Sequence, residues 1–307
     1  MRWDDFRRSD NVEDDRGGGG GGGFGIPGGG GGLGIGTIVV LGILGWALGI
    51  DPRLLIGGAE ILTSDSQYEE PARTGPARSG APADEVGEFV SAVLGSTEDT
   101  WQQIFRQNGQ AYQPPKLRLF SGAVQGGCGF AQAAMGPFYC PRDARIYLDT
   151  SFFRQIETRF RGCTGKACKF SQAYVIAHEV GHHVQNQLGV LSKAQQAQQG
   201  AGSKPAANRI QVRVELQADC FAGIWANQAQ KKHNFLDPGD IDAALQTASA
   251  IGDDTLQRRA GRGAEGGAAL VPDAFTHGSA EQRKRWFMTG FTEGKISACN
   301  TFGVDRV

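Results

Sequence analysis

The chain is 307 residues long and 40% hydrophobic, with a formal net charge of -1. That length and apolar fraction support the core of one large or two modest domains, while the near-neutral balance excludes the concentrated basic face that a nucleic-acid partner demands. Six cysteines without any C-x-x-C pair point to disulfides in an oxidising compartment rather than to a zinc ribbon or a thioredoxin-like motif.

Met1 to Arg16 is polar and of mixed charge, and it runs into two glycine tracts, Gly17 to Gly23 and Gly28 to Gly32. Such a composition buries too little apolar surface to fold alone, so residues 1–32 are expected to be a disordered tail. Leu33 to Ile50 follows without a charged residue. Its eighteen residues span roughly 27 Å as a helix, enough for a bilayer core, and residues 33–50 are expected to form one transmembrane helix. Arg2, Arg7, Arg8 and Arg16 precede this stretch, whereas only Arg53 lies in the twenty residues after it. The positive-inside rule then leaves the tail in the cytoplasm and the remainder periplasmic or otherwise outside a single-pass inner membrane anchor. Residues 51–84, rich in Pro, Gly, Ser and Ala, read as a linker.

From Glu85 onward helical spacing recurs. Val86, Phe89, Val90, Val93 and Leu94 predict one short helix, and Trp101, Ile104 and Phe105 a second after a break at Gly95-Ser96-Thr97. Lys116 to Phe120 and Ala144 to Asp149 read as strands, with a Gly-rich stretch between them whose turn Cys128 and Cys140 flank. In zinc peptidases a strand just before the metal helix often pairs with extended substrate, and Arg145 to Asp149 occupies that place by analogy. Ser171 is a good N-cap for a helix carrying Ile176, Ala177, Val180, Val184 and Leu188 up to Gly189, and Cys163 and Cys168 can close a small loop at its start. Pro205 opens a further apolar helix on which Glu215 and Asp219, four apart, share a face. Asp237-Pro238 starts another helix, Arg258 to Gly267 reads as a loop, and Ser279 with Gln282 forms a capping box for a last helix, with His277 just ahead of it. Cys299 leaves Cys220 as its natural partner, one of the fifteen connectivities six cysteines allow.

Chemistry is concentrated in His178-Glu179-Val180-Gly181-His182-His183. On a helix His178 and His182 project from one face and can hold one Zn²⁺, with Glu179 beside them for proton transfer. The metzincin pattern is excluded, because its glycine and third histidine would fall at Gln185 and Leu188. A carboxylate on a later helix is the other common third ligand, and Glu215 is the best placed. Two carboxylates on so apolar a helix are expensive to bury without partners, and a metal with its histidine ligand accounts for both Glu215 and Asp219. Asp219 is expected to hold the free ring nitrogen of a ligand histidine. His277 is a candidate donor to a developing oxyanion, against the alternative of a surface histidine. His183 lies about 100° round the helix and is assigned to packing or hydrogen bonding, His233 to a solvated loop, and Arg283 and Arg285 to an exposed helix face.

These residues, with Val214 to Cys220, Phe275 to Ser279 and the beginning Met1-Arg2-Trp3 and Ser9 to Asp14, resemble the bacterial neutral zinc metallopeptidase family, and more distantly the membrane gluzincins related to the CAAX prenyl endopeptidases and HtpX. The resemblance covers nearly the whole chain. It implies Zn²⁺ bound by His178, His182 and Glu215. The expectation is an α+β, mainly α zincin-like domain with a small sheet over residues 85–302, a tail at 303–307, and hydrolysis of peptide or protein substrates with Glu179 as general base and then acid. The alternative is a non-enzymatic, membrane-anchored zinc-binding scaffold. Glu179 argues against it, since a structural site needs no proton shuttle and is normally closed by a fourth ligand.

Overall fold

The computed structural model of the chain describes residues 1–16, 78–79, 84–133, 136–158, 163–252 and 275–307. The two apolar segments form the expected strands, β3 (Lys116–Phe120) and β7 (Arg145–Asp149), which pair in parallel with Leu117 opposite Ile146 and Leu119 opposite Leu148. All four of those side chains are buried, as befits parallel strands covered on both faces. Three short strands complete the sheet: β1 (Val12–Asp14), β2 (Arg78–Ser79) and β6 (Phe138–Cys140), in the order β2-β1-β3-β7-β6. A separate hairpin of β4 (Ala123–Gly126) and β5 (Gly129–Gln132) is tied to β6 by the Cys128–Cys140 disulfide. β7 is paired along its whole length by β3 and, over Arg145 to Tyr147, antiparallel by β6, so those three residues have no edge left for substrate. The free edge next to it belongs to β6.

Helices supply most of the fold, which is α+β: α1 (Glu85–Gln107), α2 (Ser151–Thr158), α3 (Cys168–Gln187), α4 (Val190–Gln199), α5 (Lys204–His233), α6 (Asp240–Ala250) and α7 (Ala280–Glu293). Among the described residues none is long and apolar enough to cross a membrane; Leu33 to Ile50, like the loop expected at Arg258 to Gly267, lies outside them. The break expected at Gly95-Ser96-Thr97 does not occur, and α1 runs through it. Small residues are needed there for packing: a Cβ on Gly95 would run into the Arg7 carbonyl, and Ser96 Oγ accepts a hydrogen bond from Trp225 Nε1 at 3.0 Å.

What crosses α1 at Gly95 is the segment expected to be a loose tail. Met1–Gly18 and Ala77–Val307 form a single compact unit. Phe6 and Val12 are in the core, β1 pairs with β3 with Val12 opposite Leu117, and Phe6 meets the rings of Phe235 and His233. Buried Glu98 of α1 collects Ser9 Oγ at 2.6 Å, Asn11 Nδ2 at 2.8 Å and the Arg7 guanidinium at 2.6 Å. Composition misjudged this arm because its few apolar residues are all used and its polar ones are matched to a buried carboxylate on another element. The last residues are also held: Arg213 donates to the carbonyls of Val304 and Asp305, and Gln282 to that of Val307.

Candidate metal centre

The helix with the histidine pair starts at Cys168, one turn before Ser171. A 3₁₀ turn over Gly165–Ala167 has already wound the chain, closed by the Cys163–Cys168 disulfide, so no cap is needed at Ser171, whose hydroxyl is buried without a partner. Gly181 lies between the two histidines on the side that meets α5. A Cβ there would sit 2.9 Å from the Ala218 carbonyl oxygen, so a glycine on one helix and an alanine on the other let the two backbones approach closely. Ala218 is flanked by Glu215 and Asp219, and the close approach delivers both carboxylates to the histidines.

Four of the residues singled out by sequence therefore converge. Glu215 Oε2 lies 3.3 Å from His178 Nε2 and 3.5 Å from His182 Nε2, and one ligand atom from each of the three residues falls within 4.8 Å of the others. The corners of a tetrahedron with bonds of about 2.0–2.1 Å are about 3.3 Å apart, which the two carboxylate-to-imidazole separations match, and two imidazoles with a carboxylate suit zinc. Among the described residues no further His, Cys, Asp or Glu joins the group.

The outward nitrogens are fixed. His178 Nδ1 is 2.8 Å from Asp219 Oδ1; a carboxylate only accepts, so Nδ1 carries the hydrogen and Nε2 is left for the metal. His182 Nδ1 donates to Gln185 Oε1 at 2.9 Å, and the Gln185 amide donates on to the Val214 carbonyl and Gln217 Oε1. Gln217 in turn donates to the Cys299 carbonyl at 2.9 Å, next to the Cys220–Cys299 disulfide. Glu215 Oε1, the oxygen turned away from the histidines, accepts from Gln211 at 2.7 Å. Glu179 is buried on the same helix, three residues before His182. His277 is exposed, on a loop whose Gly278 packs against Leu216 and Val212, and its charge helps hold Glu215 ionised.

His183 turns away, as expected. It sits between the Tyr139 hydroxyl at 3.1 Å and the Gln113 carbonyl at 2.6 Å, and Asn186 donates to the same hydroxyl. It therefore pins β6 to α3, with burial keeping the imidazole below its usual range. His233 is half-buried at the end of α5, against Phe6, rather than in a solvated loop. Arg285 is exposed, but Arg283 is buried: its Nε and Nη2 meet both oxygens of Asp219 at 2.8 Å, and Nη2 also reaches the Tyr174 hydroxyl at 3.1 Å.

Burial disfavours charge at every one of these groups, and the neighbours reverse it. Arg283 and His178 hold Asp219 well below the usual carboxylate range, and His182, His178 and His277 do the same for Glu215. Before metal binds, Asp219 and Glu215 outweigh burial and raise His178 to about 10. A metal ligand must be the neutral imidazole, so zinc has to displace that proton. Apparent zinc affinity is expected to rise about tenfold per pH unit for each proton displaced, between about pH 6 and pH 9. The metal-free protein should behave oppositely, because a folded-state pKa above the unfolded value of about 6.5 stabilises at low pH and is lost as pH rises towards 10. Chelator competition and thermal unfolding with and without zinc, at several pH values, check both signs.

Residues 1–302 match the family described as "Putative neutral zinc metallopeptidase". The chain belongs to this family. It is 46% identical over 306 residues to the uncharacterized protein YpfJ of Escherichia coli K12, covering 99% of each chain. It is 40% identical over 266 residues to the uncharacterized protein Rv2575 of Mycobacterium tuberculosis H37Rv, covering 83% of this chain and 84% of that one. No solved structure matches it.

Proposed function

We propose that the chain is a zinc-dependent peptidase that cleaves peptide bonds with a water deprotonated by Glu179. The observation that carries this reading is the convergence of His178 Nε2, His182 Nε2 and Glu215 Oε2 in one group of three donors, two buried and His182 half-buried, with Glu179 on the same helix turn. Zinc, when bound, supplies a Lewis acid that lowers the pKa of water to about 7 and polarises a carbonyl. Asp219 and Gln185 hold the two imidazoles in the tautomer that presents Nε2. The Glu179 carboxylate takes a proton from the attacking water and passes it to the departing amine. His277 donates to the substrate oxygen as it gains charge. A scaffold would use the same three ligands but has no work for Glu179.

We place the domain outside the cytoplasm, a reading supported by its three disulfides. In this reading an attachment through Leu33 to Ile50 leaves β1 and β3, which pair, on one face of the membrane. The test uses the purified full chain. One zinc per chain is expected, lost in His178→Ala and Glu215→Ala, together with chelator-sensitive cleavage of casein or a peptide library. Absence of zinc from the unaltered chain would sink the reading; zinc without cleavage would favour the scaffold.

A further inference from the structure

Buried ion pairs are weak stabilisers. Two charges taken out of water lose about as much as they regain from each other, and well-packed apolar residues of the same size often do better. A buried arginine held against a buried aspartate therefore calls for a reason other than stability, and Arg283 and Asp219 are such a pair, at 3% and 0% exposure. The aspartate's second connection supplies the reason. Asp219 Oδ1 accepts from three donors: Tyr174 Oη at 2.5 Å, Arg283 Nη2 at 2.8 Å and His178 Nδ1 at 2.8 Å. Its other oxygen accepts from Arg283 Nε at 2.8 Å. The guanidinium thus fixes the plane of the carboxylate with two parallel bonds, and the plane of the carboxylate fixes the imidazole.

Arg283 is also well anchored itself. It lies one turn into α7, and α7 meets α5 backbone to backbone: a Cβ on Gly290 would run into the Cys220 carbonyl, and one on Gly223 into the Phe287 carbonyl. The capping box of Ser279 and Gln282 fixes the start of the same helix, two residues after His277. One rigid element therefore locks the histidine ligand from behind.

We propose that Arg283 is a positioning residue of the metal centre, acting through Asp219, with Tyr174 as its auxiliary. The inference rests on the zinc-site reading above. Lysine keeps the charge but, as a point donor, cannot make both parallel bonds and the bond to Tyr174 together. In Arg283→Lys, zinc measured by chelator competition is expected to bind about tenfold or more weakly, the range seen when a ligand's outer partner is lost. Tyr174→Phe, which removes one hydroxyl and no charge, should weaken zinc roughly threefold to tenfold. Peptide cleavage should lose kcat with KM little changed. In an Asp219→Asn background Arg283→Lys should add little, because the path runs through that carboxylate.

A merely structural arginine would lower the thermal midpoints of the metal-free and zinc-loaded proteins alike and leave zinc affinity where it was. If the unaltered chain binds zinc and both Arg283→Lys and Tyr174→Phe bind it within about twofold of that affinity, the positioning role is overturned while the peptidase reading stands. If Arg283→Lys does not fold, Tyr174→Phe decides alone, by the same twofold criterion. An unaltered chain without zinc would instead overturn the underlying reading and this one with it.

Discussion

Replacing Glu179 with glutamine is expected to abolish peptide cleavage, by at least about a hundredfold in kcat, while one zinc per chain remains bound. The substitution keeps the size and hydrogen-bonding shape of the side chain and removes only its ability to take a proton. Glu179 is not one of the three converging donors, so the metal should not notice the change. The neighbouring imidazoles are held by Asp219 and Gln185 rather than by Glu179, so their tautomers should also survive. Metal analysis and a cleavage time course on the same preparation read the two quantities independently. Undiminished cleavage by Glu179→Gln, at full zinc occupancy, would remove Glu179 from the chemistry and force a search for another base. Loss of zinc along with cleavage would instead make Glu179 part of the metal's support.

How much of this centre was legible beforehand follows from the range of the signals. His178, Glu179 and His182 are tied by helical spacing alone. Glu215 and Asp219 are tied to each other in the same way, and the cost of burying two carboxylates leads from them to the histidines. The Asp219 contact to His178 was legible for that reason. Gln185 was in plain view, at the position where the metzincin pattern has its glycine, yet nothing in the sequence says that its oxygen faces His182 Nδ1. Gln211, one turn before Glu215, was equally short-range and equally silent. Arg283 was misread because an arginine on an amphipathic helix is ordinarily exposed, and its burial depends on α7 packing against α5 through Gly223 and Gly290. Only contacts between elements reveal such a residue.

The fold divides along the same line. Local patterns found β3, β7 and the helices carrying the site, and they found the capping box at Ser279. The disulfides follow the expected pairs, Cys128–Cys140, Cys163–Cys168 and Cys220–Cys299. What failed was inference from composition. Gly95 looked like a helix break but is a crossing point, and the polar arm ahead of the glycine tracts looked unfoldable because its partners lie some eighty to a hundred residues away, as Glu98 does from Arg7 and Leu117 from Val12.

That arm yields the second large effect: a chain beginning at Ala77 is expected not to fold. Phe6 and Val12 are 3% and 0% exposed, and burial of two such side chains stabilises by about 3–6 kcal/mol in all. Removing them also strips Arg7, Ser9 and Asn11 from Glu98, which is itself 2% exposed, and a buried charge deprived of its partners costs about 3–5 kcal/mol. Together these terms match the whole stability of an ordinary domain, about 5–15 kcal/mol, before the lost β1 to β3 hydrogen bonds are counted. Far-UV circular dichroism and urea unfolding of the truncated chain, with zinc binding as a third probe, provide the measurement. A peptide of Met1–Arg16 added in excess should restore part of the signal, since it supplies both β1 and the ligands of Glu98. A truncated chain that unfolds at the same urea concentration as the full one would show the arm to be peripheral. With the arm integral, the metal centre cannot be separated from the N-terminus, because β1 belongs to the same sheet as β3 and β7.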